Sequence, residues 1–262
     1  MNDFNKVYSA QELKDNKMVT VLSLPMEESV MVPVSQMIDL MKQGENVLFF
    51  SFNHDSIKIN EFMKNSLKHE ANPESITGLN AVFDAHQIPA GEDWFKFVEE
   101  TVKSIKKSLE AEGKELGFVF LDLFPFVETH SIRPADEELV SSMFTIMAFT
   151  QKITPVVLRT MKVPIITATQ NPEKSKKELD ELMDRDMLKE MIKESITLTT
   201  QSDFIIGIKR EKNNFWKKLL NFLLFWRKKN NFTLKVLKNR NGSDGKSYRL
   251  NLDMETFKTE VL

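Results

Sequence analysis

The chain has 262 residues, 41% hydrophobic and 28% charged, enough for one large domain or two small ones with an ordinary core and a solvated surface. A formal net charge of −2 gives no global attraction to nucleic acid, so any such binding must be local. The absence of cysteine excludes disulfides and thiolate chemistry, and His54, His69, His86 and His130 lack the spacing of a zinc site. The first residues lack the charged-then-apolar layout of a signal peptide, and no apolar run reaches the roughly 18 residues a membrane span needs. The expected compartment is the cytoplasm.

In chain order, Ser9 to Asp15 predicts a short helix capped by Ser9, with Glu12 completing a capping box. Met18 to Leu24 reads as a strand rich in β-branched residues. Met31 to Gln43 reads as a helix with Met31, Val34, Met37, Ile38 and Met41 on one side. Val47 to Phe52 is a buried strand. Asp55 to Lys68 is a helix whose apolar set is Ile57, Ile59, Phe62, Met63 and Leu67. Asn80 to Phe83 carries a weak strand signal. Glu92 to Glu112 is a strong helix, its stripe of Phe95, Val98, Val102, Ile105 and Leu109 stepping by three or four.

The stretch Gly117 to Leu123 organises the rest. A glycine followed by four apolar residues, too short for a helix, reads as a strand buried on both faces. It ends in Asp122. A carboxylate at the end of a central parallel strand faces the crevice where α/β sheets bind ligands. Beyond a loop to Pro134, a helical stretch is expected from Ala135 to about Met161, with a break near Pro155. Strands are expected at Val163 to Thr169, Phe204 to Ile208, Phe232 to Leu237 and Tyr248 to Leu252, and a charged helix at 172–194. Strands alternating with helices imply a mostly parallel sheet, and the turn Asn239 to Gly245 makes the last two strands a hairpin at its edge.

The order of these motifs resembles the RecA-like ATPase domain of DnaB-type replicative hexameric helicases. Gly117 to Leu123 is similar to that family's second nucleotide motif, in which the acid serves the magnesium ion. Val163 to Gln170 looks like the strand ending in a nucleotide-sensing glutamine. Asp184 to Ser195 and Ser202 to Ile208 look like the segments that follow, and Lys238-Asn-Arg-Asn-Gly242 resembles the hairpin that reaches a neighbouring subunit's phosphates. The resemblance covers about residues 18–253. It implies an α/β fold with a RecA-like, mostly parallel sheet, a single domain over 18–262 behind an N-terminal segment 1–17.

Two departures bear on activity. A phosphate-binding loop needs glycine amides to wrap the phosphates and a lysine to neutralise them. Leu24 to Pro33 stands in that place with no glycine and no lysine, and Glu27 and Glu28 would repel a triphosphate. The family's water-activating glutamate is replaced by Asn53 and His54; an amide cannot act as a general base, and His54 is offset by one position. Asp122, Gln170, Lys238 and Arg240 are then remnants of a nucleotide site, and the expectation is an inactive ATPase without a cofactor. Lys238 and Arg240 either persist for packing or act in trans on an active partner.

Residues 213–231 stand outside the family pattern. Nine of the twelve residues from Phe215 to Trp226 are apolar, which leaves a broad apolar helical face. That face gathers Phe215, Trp216, Leu219, Leu220, Phe222, Leu223, Phe225 and Trp226, beside Lys217, Lys218 and the basic flank Arg227, Lys228 and Lys229. Twelve residues make about 18 Å of helix, too short for a bilayer of about 30 Å. Tryptophan ends and lysines suit a helix lying in a membrane interface, such as the inner membrane, while the same face suits a partner protein or the domain's own core. In the 172–194 segment acids outnumber lysines, so strong autonomous nucleic-acid binding is not expected. Together these readings imply a non-catalytic accessory or scaffold protein, in a replication complex by analogy. The alternative is a subunit that joins a helicase ring and supplies an arginine finger.

Overall fold

The computed structural model describes residues 7–23, 31–51, 56–68, 76, 78, 80–84, 87, 93–122, 152–170, 201–210, 229–253 and 259–262. Its elements in chain order are α1 (Ala10–Asn16), β1 (Met18–Ser23), α2 (Met31–Lys42), β2 (Asn46–Ser51), α3 (Ser56–Lys68), β3 (Asn80–Asp84), α4 (Trp94–Ala111) and β4 (Leu116–Asp122). A π-helical turn (Pro155–Thr160) leads into β5 (Ile165–Gln170), followed by β6 (Phe204–Arg210), β7 (Lys229–Asn239), β8 (Ser247–Asp253) and β9 (Thr259–Val261). The strands form one sheet of order β3-β2-β4-β5-β1-β6-β7-β8-β9. The first six in that order run parallel, and β7, β8 and β9 are added antiparallel. This is the RecA-like α/β arrangement that the order of motifs implied.

Helices cover both faces, as a parallel sheet requires. Leu13 of α1, Val34, Met37, Ile38 and Met41 of α2, and Ile59 and Met63 of α3 pack on one face with Phe118 and Phe120 of β4. Val98, Val102 and Leu109 of α4, with Ile153, Val157 and Met161, pack on the other with Leu116, Val119 and Leu121. Every residue of β4 is buried. Each fully buried Val or Phe side chain contributes roughly 1.5–3 kcal/mol of transfer free energy, so this strand carries much of the core.

Leu116 and Phe118 lie two apart yet serve opposite faces, against the period of a regular strand. The register explains it. Asn46 pairs with Leu116 and Val47 with Phe118, so Gly117 is the extra residue of a bulge. A Cβ there would stand 3.2 Å from the Asn46 carbonyl oxygen and closer still to the Glu45 carboxylate, which only glycine avoids.

Local signals set the helix ends. Ser9 caps α1 by accepting from the Glu12 N–H at 3.0 Å, and Asp93 caps α4 by accepting from the Phe95 N–H at 2.9 Å. Pro155 lacks an N–H, and the chain there widens into a π turn, with Met161 N–H donating to the Val156 carbonyl five residues back. Residues before it are described from 152 only, so the expected helix over 135–151 lies outside the described residues.

Three expectations are corrected. Lys229 is not part of an inserted helix: it begins β7, paired with Asp253 of β8, because the antiparallel ladder runs three residues further than alternation suggests. Strand β8 is not the edge, since Leu250 to Leu252 pair with β9. Ile57 is 66% exposed rather than in the core, because it lies in the first turn of α3, away from the sheet-facing side of Ile59 and Met63. The remainder of the 213–231 segment through Lys228, the 172–194 segment, and Asn53 and His54 lie outside the described residues.

Candidate functional site

The carboxyl ends of the parallel strands meet along one edge. Register places Ser51 beside Asp122, Asp122 beside Ala168, and Ser23 beside Gln170 on one side and Ile208 on the other. Asp122 is 1% exposed, and Ser51 Oγ donates to its Oδ2 at 2.9 Å. A buried carboxylate needs such donors, because an unmatched one costs several kcal/mol. The edge thus presents one acid, a neighbouring-strand hydroxyl and the backbone position of Gln170, the sensor glutamine of the resemblance. Chemically, Asp122 can hold a cation through its carboxylate or through water. Among the described residues no group of three or more acids and histidines stands together as a metal site. The segment 24–30 that follows β1 leaves from this edge and lies outside the described residues.

Lys238 and Arg240 are on the opposite edge. Strand β7 runs antiparallel, so Lys238 pairs with Ile205 and Asn239 with Phe204 at the start of β6, level with Val19 of β1. Within one molecule they are therefore not brought together with Asp122 and Gln170. Both are folded back onto their own chain. Lys238 Nζ donates to the Ser202 carbonyl at 2.6 Å, and Arg240 pairs with Asp203 Oδ1 at 2.5 Å. Burial, then the adjacent Arg240 charge, push the Lys238 ammonium below its ordinary value, with Asp203 opposing them. The Arg240 side chain is 58% exposed, and a pair this open is worth about 0–1 kcal/mol, so little holds the guanidinium in place.

Asp203 organises this amino edge, and the sequence reading passed it over. Its N–H donates to the Met18 carbonyl at 2.9 Å, its Oδ2 accepts from the Met18 N–H at 3.4 Å, and its carbonyl accepts from the Arg240 N–H at 2.9 Å. One residue ties β1, β6 and the β7–β8 turn. The available signal was an acid placed directly before an apolar strand, with an arginine just past the end of the antiparallel partner strand. Below it, buried hydroxyls of Thr20, Thr167 and Ser202 bond in series, Thr20 to Thr167 at 3.0 Å and to Ser202 at 2.6 Å. These partners satisfy polar groups that the core would otherwise leave unmatched. Of the residues expected to form a membrane or partner helix, Phe215 to Lys228 lie outside the described residues. Among the described residues no helix is long and apolar enough to cross a membrane.

No family model and no curated protein matches the chain. Solved structures do. An ATPase domain of a DnaB-like helicase, solved as an isolated domain, superposes with a TM-score of 0.66 at 14% identity, covering 94% of this chain and 85% of that one. A DnaB-like replicative helicase, from a structure that describes its interactions with primase, gives a TM-score of 0.61 at 14% identity over 93% of this chain; only 57% of the helicase chain is spanned. The KaiC-like protein PH0186 from Pyrococcus horikoshii OT3 gives 0.57 at 14% identity, covering 94% and 90%. At this identity the likeness is one of fold: the chain has the RecA-like architecture of DnaB-like helicase ATPase domains.

Proposed function

We propose that this chain is a RecA-like pseudo-ATPase of DnaB type that acts as an accessory or scaffold protein in a replication complex. The observation that carries the reading is chemical. Strand β1 runs straight into Leu24 to Pro33, which offers neither the glycines nor the lysine that triphosphate binding requires and places Glu27 and Glu28 there instead. Asp122 keeps its place at the end of β4, held by Ser51, but a lone carboxylate without a phosphate cradle does not run hydrolysis. The Phe215 to Trp226 segment then supplies the attachment, to a partner protein or to a lipid surface.

The test is thermal melting with and without magnesium-ATP, beside an ATP turnover assay. Ligand that binds only the folded state at 100 times its Kd stabilises by about 2.7 kcal/mol, a shift of several degrees. No shift and no turnover are expected; a clear magnesium-ATP-dependent rise would overturn the reading.

A second reading is favoured by a specific feature, the position of Arg240 on the edge opposite Asp122 with only an exposed ion pair to break. In it, the chain joins a helicase ring and presents Arg240 to the neighbouring subunit's nucleotide. Arg240→Ala added to an active helicase should then lower turnover of the mixture relative to the unsubstituted chain; equal turnover removes the idea.

A further inference from the structure

Between the starts of β4, β5, β1 and β6 lies an open cleft of about 980 Å³, at the edge away from Asp122. Five of its lining side chains are basic and two acidic. Lys14 is paired with Glu45 at 2.6 Å and Arg240 with Asp203. Lys17, Arg159 and Lys162 also face this cleft, and none makes an ion pair with a described residue. Three such cations around one concavity form a local positive site on a chain whose net charge is −2.

The backbone goes out of its way to present them. Lys17 and Lys162 are the only non-glycine residues with positive φ among the described residues, at 53° and 58°, and each immediately precedes a buried parallel run. Lys17 also has ψ −51°, close to the strained γ-turn conformation. Such conformations cost about 1–3 kcal/mol apiece and persist where the surroundings enforce them. Here the Lys17 carbonyl accepts from the Ile165 N–H at 2.8 Å, which locks the starts of β1 and β5 together and turns both lysines to the same side. Arg159 arrives on the π turn, a local widening that recurs at functional sites. Three irregularities from separate parts of the chain converge on one cleft.

The remaining lining sets the class of ligand. Leu116, Leu158 and Val163 give the cleft an apolar wall, and the buried Gln201 Oε1 there has no hydrogen-bond partner. An unmatched buried acceptor costs roughly 1–3 kcal/mol until a donor reaches it. The volume lies at the upper end of the roughly 300–1,000 Å³ of small-molecule sites. We propose that this amino-edge cleft binds a small phosphorylated ligand. Its phosphate oxygens are held by Lys17, Arg159 and Lys162, and its apolar body, carrying a hydrogen-bond donor, packs toward Leu158 and Gln201. This site is separate from the crevice at Asp122 and stands whether or not that crevice takes nucleotide.

The experiment is isothermal titration of the full chain with AMP, inorganic pyrophosphate, a thymidine oligonucleotide and hexaglutamate. Wild type should bind AMP and pyrophosphate, and the combined Lys17→Glu, Arg159→Glu, Lys162→Glu variant should lose at least about tenfold in affinity. A charge-matched Lys58→Glu, Lys64→Glu, Lys96→Glu variant should bind like wild type. If the reversal variant does not fold, Lys162→Gly serves instead: glycine accepts the positive φ, so it should melt at or above wild type yet bind several-fold more weakly. No binding of either phosphate probe, undiminished binding by Lys162→Gly or the reversal variant, binding of the oligonucleotide alone, or equal binding of hexaglutamate would each overturn the proposal.

Discussion

The two edges of this sheet are built on opposite principles. At the carboxyl edge the strands end in register, and the acid there, Asp122, is buried and met by a hydroxyl from the next strand. At the amino edge the geometry is irregular: two lysines at positive φ, a π turn and a bulge at Gly117 surround an open basic cleft. The regular edge is the one where RecA-like sheets place nucleotide chemistry, yet in this chain the phosphate-binding sequence is missing there. The strained edge holds the cations that have no ion-pair partner among the described residues. Fold and chemistry can thus separate: a sheet retains its architecture through core packing, while the charges that would hold a ligand sit elsewhere.

Substitutions can break or sharpen that contrast, from large effects to small. Phe120→Ala removes a side chain 1% exposed from the strand that joins both edges, and should cost about 3–5 kcal/mol by urea unfolding. A loss below about 1 kcal/mol would mean that the β4 core is not the common support. Ser51→Ala at the carboxyl edge withdraws one donor from the buried Asp122 carboxylate and should cost about 1–3 kcal/mol. Asp203→Ala at the amino edge should cost about 1–2 kcal/mol by the same assay, since its carboxylate is less buried and its backbone ties survive. Equal and negligible costs at both edges would dissolve the distinction. Lys162→Gly should be neutral or stabilise by up to about 1 kcal/mol, because the relief of strain outweighs the freedom that the unfolded chain gains. A destabilisation would show that Lys162 is not strained.

The smallest effects are in alkaline titration, and their signs differ. Tyr8 is pushed well above 10.0 by burial and then by Asp39, so the folded chain keeps its proton when the unfolded chain has lost it. Its contribution is complete below about pH 10 and is lost as pH rises beyond that, so Tyr8→Phe should flatten the alkaline fall in stability. Lys238 is lowered, so the folded chain releases its proton first and stability rises between its folded value and 10.5. Arg240→Ala removes one cause of that lowering and should reduce this rise, read by urea melts between about pH 8 and 11.

The elements most plainly written in the sequence are those with strong periodicity. The α4 stripe of Val98, Val102 and Leu109 is buried as its spacing predicts, and the unbroken apolar run of β4 is buried on both faces. Ser9 and Asp93 mark helix starts through their side-chain chemistry. The β9 strand escaped notice because three residues, Thr259 to Val261, are too few for alternation to register. Lys229 was misread for a related reason: Lys-Asn-Asn carries no β signal, and only pairing with Asp253 makes it a strand.

Sequence pattern alone was enough to establish the class of fold, the place of Asp122 at the end of a central strand, and the missing phosphate-binding chemistry after β1. These are properties of local runs, and local runs are what periodicity and motif spacing report. Which residues share an edge depended on strand order and direction. The antiparallel turn of β7 carries Lys238 and Arg240 away from Asp122, and crossovers bring Lys17, Arg159 and Lys162, widely separated along the chain, around one cleft. Backbone strain at two lysines leaves no mark in composition, because it is imposed by the neighbours that each strand acquires only when the sheet closes.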